Sequence, residues 1–205
     1  MTHVYMVECQ DEAVLHANAF YPPDGPSRLC PACFGWSREW YSSPFTFGMY
    51  LAVLAKARVA RSDVVGYVVM PVRVADRLDE LGVIGARRRV CVEFGTQAEL
   101  AGYFPIPSLA AQPEGLAGPV CEVCERARLK EVFAVRLQSH LVAGGLGVVM
   151  DTEGRMYLTD RAATQASADL RRMSVRLRKI AAVMEPTTEP AITLETVPKL
   201  RDRCW

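Results

Sequence analysis

Two stretches of this chain repeat one cysteine spacing: Arg28-Leu-Cys-Pro-Ala-Cys-Phe-Gly-Trp-Ser37 and Val120-Cys-Glu-Val-Cys-Glu125. Each contains two cysteines separated by two residues, the spacing of a zinc knuckle, in which a tight turn directs both sulfurs at one metal ion. Two such pairs supply four thiolates and complete the closed shell of a structural site. The sequence therefore predicts that one structural Zn²⁺ ion is held by Cys30, Cys33, Cys121 and Cys124.

The 87 residues between Cys33 and Cys121 far exceed the ~15–20 that separate the pairs of a compact zinc ribbon. We therefore expect the metal to act as a staple between two distant parts of the fold. Two other interpretations stay open: pairs that no longer bind metal, and a thioredoxin-like redox motif. A redox pair would open a helix after a strand, whereas the first pair here has proline-rich and tryptophan-rich flanks.

The composition is that of an ordinary globular protein, with 205 residues, half of them apolar and 23% charged. A formal net charge of +1 argues against a general nucleic-acid binder, whose domains are usually strongly basic. No run of ~18–20 apolar residues predicts a membrane span. The N-terminus has Glu8, Asp11 and Glu12 where a secretory signal would be basic and then apolar. Without such a signal, we expect a cytoplasmic protein. In that reducing compartment thiols stay reduced, and cysteine pairs bind metal more often than they form disulfides.

Hydrophobic patterning predicts an α+β fold: a mixed or antiparallel sheet with flanking helices, stapled by the knuckle pair. We predict one domain over residues 1–185, with knuckles near 28–36 and 119–126, and a loosely ordered, proline-containing tail over 186–205. Strands are predicted over 3–8, 64–70, 88–94, 132–137, 146–150 and 155–158. Helices are predicted over 49–60, 71–82 and 160–184, with a turn at Asp151-Thr-Glu-Gly154 and a loop over 103–119.

No catalytic constellation stands out elsewhere in the sequence, so we expect a protein that is not an enzyme. The histidines lack a neighbour at metal-motif spacing, and each is interpreted as solvated or hydrogen-bonded. They are His3, His16 and His140. Cys91 is interpreted as a small buried hydrophobe, whereas Cys9 and Cys204 have no spacing partner.

Two side-chain clusters have alternative interpretations. An aromatic cluster after the first pair either packs around the metal or forms an exposed patch for a partner. Its members are Trp36, Trp40, Tyr41, Phe45 and Phe47. A basic group on the predicted C-terminal helix is either a solvated face or a surface for an acidic partner, which we favour over nucleic acid. Its members are Arg171, Arg172, Arg176, Arg178 and Lys179.

The order and separation of the two pairs resemble the double-CxxCG motif proteins, a set of paralogues best represented in myxobacteria. Residues 28–37 look like the family's first knuckle, residues 67–94 are similar to its central unit, and residues 120–125 resemble its second knuckle. Residues 146–170 are loosely similar to its C-terminal segment. The glycine that the family places after each pair is Phe34 and Glu125 here, with Gly35 displaced by one position.

This resemblance implies an immunity protein, a cytoplasmic antitoxin that binds a cognate polymorphic toxin and neutralises it by protein–protein contact. It implies no catalysis and no membrane partner. The alternative is a zinc-ribbon module that binds nucleic acid or has a regulatory role. A third hypothesis, an enzyme with an unrecognised site, would require a deep polar pocket with convergent acids.

Overall fold

The computed structural model describes residues 2–9, 30, 32, 46–47, 60–61, 68–92, 100–106, 109–125, 127–143, 147–172 and 175–191. These residues form two β-sheets and three helices, which confirms the predicted α+β fold. Both sheets contain parallel as well as antiparallel neighbours. The predicted mixed sheet is therefore present, and it is accompanied by a second, smaller one.

The larger sheet has seven strands. They are β1 (Thr2–Cys9), β5 (Val83–Ile84), β8 (Gln112–Val120), β9 (Ala127–Gln138), β10 (Val148–Met150), β11 (Met156–Leu158) and β12 (Val175–Glu185). Their order is β5-β10-β11-β1-β12-β9-β8. β9 runs parallel to β12 and β5 parallel to β10, and the other neighbours are antiparallel. Within the described residues, β8 is therefore an edge strand and β12 is a central one.

The smaller sheet has five strands and lies beside the helices. Its strands are β2 (Thr46–Phe47), β3 (Ala60–Arg61), β4 (Val68–Pro71), β6 (Ala86–Val92) and β7 (Leu100–Phe104), in the order β2-β6-β7-β4-β3. The helices are α1 (Val72–Glu80), α2 (Ser139–Ala143) and α3 (Asp160–Arg172). One buried cluster contains residues of α1, α3 and both sheets, so these elements share a core.

The large sheet separates two clusters of buried side chains, because successive side chains of a strand point to opposite faces. In β1, Val4 and Met6 belong to the cluster with Leu137 and Leu141. Val7 belongs to the cluster on the other face, with α1 and α3. At β1, the sheet is thus covered by apolar groups on both of its faces.

Local sequence signals place α1 correctly. Pro71 caps a helix that buries Val74 and Leu78, residues four apart on one face. The helix ends before Gly82, whose φ of 77° is the left-handed conformation that glycine adopts at a helix C-terminus. The predicted turn at 151–154 is also confirmed, since β10 and β11 pair as an antiparallel hairpin across it.

The loop predicted over 103–119 is wrong. β7 continues to Phe104, and β8 occupies residues 112–120. Pro113 and Pro119 lie within β8, whose outer edge has no partner strand among the described residues. An edge strand tolerates proline because an outward N–H need not join a ladder.

The helix predicted through Met184 is also wrong, because α3 ends at Arg172 and β12 begins at Val175. Leu177 and Ile180 suit one helical face, yet in β12 they point to opposite faces and contact different clusters. β12 is hydrogen-bonded to β1 on one side and to β9 on the other. Those two ladders and both clusters favour the strand over the local helical pattern.

Several predictions lie outside the described residues. These are Cys33, most of the helix predicted over 49–60, the aromatic side chains of 36–47, and the tail beyond Ala191. The boundary between the domain and its tail at 185/186 remains a prediction. In the described part of the chain, no helix combines the length and apolarity that crossing a membrane requires.

Candidate metal centre

The second cysteine pair lies in the turn of the hairpin formed by β8 and β9. β8 ends at Val120, Cys121 follows at once, and β9 begins at Ala127. The backbone N–H of Glu125 donates to the carbonyl of Cys121 at 2.8 Å, which closes a tight turn around the pair. This is the knuckle geometry that the two-residue spacer predicts.

Cys30 of the first pair lies at this turn although it is distant along the chain. Cys30 Sγ lies 3.6 Å from Cys121 Sγ, although 91 positions separate them. The sulfurs of Cys30, Cys121 and Cys124 all lie within 4.8 Å of one another. Three of the four predicted ligands are therefore brought together, and the fourth, Cys33, lies outside the described residues.

The spacing of these sulfurs fits a metal ion. Thiolates bound to zinc at ~2.3 Å in a tetrahedron lie ~3.8 Å apart. The Cys30–Cys121 separation of 3.6 Å is close to that spacing and well beyond the ~2.05 Å of a disulfide bond. Sulfur donors suit soft metal ions such as Zn²⁺ and do not suit Mg²⁺ or Ca²⁺. The three cysteines can therefore hold a metal ion.

Backbone hydrogen bonds in the turn also favour the thiolate form of Cys121. The backbone N–H groups of Cys124 and Val123 donate to its sulfur and lower the pKa of the Cys121 thiol below its usual range. Thiolates, not thiols, bind metal ions. Cys30 is buried, Cys121 is half-buried and Cys124 is exposed, so one side of the cluster is open to solvent.

Glu125, directly after the second cysteine, has an unusual backbone conformation. Its φ is 57°, and among the described residues it is the one non-glycine position in the left-handed region. A glycine adopts this conformation without steric cost. The backbone at Glu125 therefore has the shape that glycine favours.

The hairpin is shaped by close backbone packing. Gly115 pairs with Val132, and Glu114 pairs with Ala134, which leaves Phe133 as an extra residue in β9. This is a β-bulge, which bends and twists the ladder. A Cβ atom on Gly115 would lie 1.7 Å from the Glu131 carbonyl oxygen, so only glycine fits there.

A buried polar network contacts the hairpin near its cysteine-bearing turn. Asp151 is fully buried and accepts hydrogen bonds from the backbone N–H groups of Glu153 and Arg155, from Arg155 Nη1 and from the Tyr157 hydroxyl. Arg155 Nη2 donates to the carbonyl of Leu129 in β9 at 3.0 Å. Burial acts to lower the pKa of Arg155, but the Asp151 and Glu153 carboxylates outweigh it and raise the pKa. The network therefore joins the β10–β11 hairpin to the knuckle hairpin.

The other singled-out residues do not join the centre. His3 is exposed, and His140 is 5% exposed on α2, where none of the described residues is a hydrogen-bond partner of its Nδ1. The side chains of Cys9 and Cys91, and all of His16 and Cys204, lie outside the description.

No known protein family, curated protein or solved structure matches this chain in sequence or fold. Its own residues therefore carry the functional argument.

Proposed function

We propose that this protein is an immunity protein, a cytoplasmic antitoxin that binds and neutralises a cognate toxin through protein–protein contact. Its resemblance to the double-CxxCG proteins suggests the class. The observation that carries the proposal is the distribution of exposed apolar side chains on the hairpin that bears the cysteines.

Among the described residues, the large apolar side chains that are exposed lie together on one part of the fold. They are Leu116, Val120, Val123, Phe133 and Val183, each about half or more exposed. Four of them belong to the β8–β9 hairpin, and Val183 lies on β12, which adjoins β9. Scattered exposed apolar residues are ordinary, but a local concentration is typical of a surface that binds another protein. We call this set the hairpin patch.

The metal has a structural role in this proposal. We propose that Zn²⁺ is bound by Cys30, Cys33, Cys121 and Cys124, with Cys33 taking the fourth position that its spacing from Cys30 predicts. Four thiolates leave no coordination position open for a substrate. The ion would hold the knuckle hairpin, and with it the hairpin patch, in a fixed position on the fold.

The experiment is a rescue assay with the toxin gene next to the gene for this protein. Co-expression of the wild-type chain should protect the cells and should co-purify the toxin. The double variant Leu116→Ser, Phe133→Ser removes two exposed side chains that have little packing to lose, so it should fold but protect poorly. Loss of a central apolar contact typically costs ~2 kcal/mol or more of binding free energy.

The matched control is Leu109→Ser with Leu129→Ser, two partly buried leucines packed against the second core cluster. That variant should lose stability, whereas the patch variant should lose only binding. If the patch variant protects the cells as well as the wild type does, the hairpin patch is not the surface that binds the toxin. Failure against every adjacent toxin, with a salt-dependent shift of nucleic acid in a gel, would favour the zinc-ribbon alternative instead.

A further inference from the structure

A groove between α3 and the start of β12 is separate from the metal centre and the hairpin patch. Its volume is about 600 Å³, within the range of small-molecule sites, ~300–1,000 Å³. Apolar side chains and polar groups share the lining. The lining residues are Tyr5, Ala163, Thr164, Ser167, Arg171, Val175, Arg176 and Leu177.

The basic residues between positions 171 and 179 have different surroundings in the fold. Arg178 forms an ion pair with Glu8. Arg172 lies in a different groove, between α1 and α3, that is also lined by Asp76, Glu80 and Asp169. Arg171 and Arg176 line the groove between α3 and β12, and none of the described residues that line this groove is acidic.

Among the described residues, Arg176 has no carboxylate partner, and the pairing of β1 with β12 gives the reason. Glu8 lies directly opposite it in the β1–β12 register, but the Glu8 carboxylate is engaged by Arg178. Within the described residues, no ion pair involves Arg176 or Arg171. Two arginines without an ion-pair partner among the described residues therefore line one groove, and guanidinium groups are suited to binding carboxylate or phosphate.

The hydroxyl groups that line the groove each donate a hydrogen bond within the protein. Thr164 Oγ1 donates to the carbonyl of Asp160 at 2.9 Å, and Ser167 Oγ donates to the carbonyl of Thr164 at 3.2 Å. The Tyr5 hydroxyl donates to Asp160 at 3.1 Å. These oxygens keep lone pairs that can accept hydrogen bonds. They suit a ligand that carries O–H or N–H donors beside its anionic group.

We propose that this groove is a binding site for a small hydroxylated organic anion, a phosphate ester or a hydroxy acid. Arg171 and Arg176 bind the anionic group. Thr164 and Ser167 accept hydrogen bonds from hydroxyl groups of the ligand, and Ala163, Val175 and Leu177 contact its carbon atoms. This site does not depend on the proposed immunity function.

The test is an NMR titration of the full-length, zinc-loaded protein at low ionic strength with two probes, inorganic phosphate and ribose 5-phosphate. Both should shift the signals of residues 163–177, and ribose 5-phosphate should bind more tightly. Arg171→Gln and Arg176→Gln should each weaken both probes roughly tenfold, the loss expected for a hydrogen bond to a charged group. Ser167→Ala should remove the preference for ribose 5-phosphate and leave inorganic phosphate binding unchanged.

Arg172→Gln is the matched control, because it makes the same charge change on the neighbouring residue of α3 but lines the other groove. It should bind both probes as the wild type does. Equal weakening by all three arginine variants would show a general charge effect and overturn the site. Absence of binding at millimolar probe, or binding only of a polyglutamate peptide, would also overturn it, the latter in favour of an acidic protein partner.

Discussion

At the scale of single residues, Glu125 shows how the knuckle constrains its neighbours. Its φ of 57° costs a side chain roughly 1 kcal/mol relative to glycine. We expect Glu125→Gly to raise the free energy of unfolding by about 1 kcal/mol, because the turn keeps its shape and loses its steric cost. Urea denaturation of the zinc-loaded protein measures this.

Glu122→Gly is the control for that substitution. Glu122 lies in the same turn and is not in the left-handed region, so glycine there should only increase the entropy of the unfolded chain. If both variants lose stability by similar amounts, the backbone argument for position 125 fails.

Asp151 is the most constrained polar residue of the described structure. It accepts four hydrogen bonds while fully buried, and one of its partners is the buried Arg155. Asp151→Asn should lower the free energy of unfolding by about 3 kcal/mol, because it removes the charge that compensates a buried guanidinium. Glu114→Gln, at an exposed pair with Arg136, should cost less than about 1 kcal/mol. Equal losses in urea denaturation would contradict this role of Asp151.

At the scale of elements, the β8–β9 hairpin depends on a close approach of its two strands. Gly115→Ala would place a methyl group 1.7 Å from the Glu131 carbonyl oxygen, so the ladder must open. We expect a loss of about 2–3 kcal/mol and faster hydrogen exchange along residues 112–138. Ala117→Ser, at an exposed position of the same strand, should change neither quantity. Unchanged exchange in Gly115→Ala would show that the hairpin tolerates the methyl group.

The helices α1 and α3 show where the helical spacing of apolar residues predicts the structure correctly and where it does not. A spacing of three or four residues predicts α1 correctly because Pro71 and Gly82 mark its ends. The same spacing overextends α3, because Leu170, Leu177 and Ile180 fit a helical face with no glycine or proline between them. In the fold, residues 175–185 gain two hydrogen-bonded neighbours and contacts on both faces, which no helix at that place could provide.

At the scale of the whole molecule, the metal should connect the segment around Cys30 to the edge of the large sheet. We expect one equivalent of zinc in the purified protein by metal analysis, and a fall in thermal stability when a chelator removes it. Cys121→Ser should lose the zinc. Cys33→Ser should lose it too, because Cys33 is the ligand that the spacing predicts.

Cys204→Ser is the control for these cysteine variants, since the sequence assigns that thiol to no pair. It should retain one zinc and the wild-type melting temperature. Retention of a full equivalent of zinc by Cys33→Ser would show that the ion needs only the three cysteines that lie together here. Absence of zinc from the purified wild-type protein would contradict the proposed zinc site.

The sequence by itself determined the features that depend on a few consecutive residues. The two-residue spacer specifies a turn that points two sulfurs the same way, and the Asp151–Gly154 turn specifies the β10–β11 hairpin. Alternation and helical spacing, with proline and glycine at the ends, were enough for α1, for four of the seven strands of the larger sheet and for two of the five strands of the smaller one. These signals are local, and they predict the structure wherever contacts with distant residues favour the same conformation.

Only the tertiary structure decided what depends on partners distant in sequence. It brought Cys30 to Cys121, made β8 an edge strand despite its prolines, and converted the end of a predicted helix into the central strand β12. It also separated Arg171 and Arg176 from the paired Arg178, and it buried Asp151 among donors. All of these features have the same physical reason. Burial and hydrogen bonding depend on which residues are neighbours in space, and the spacing of residues along the sequence does not identify those neighbours.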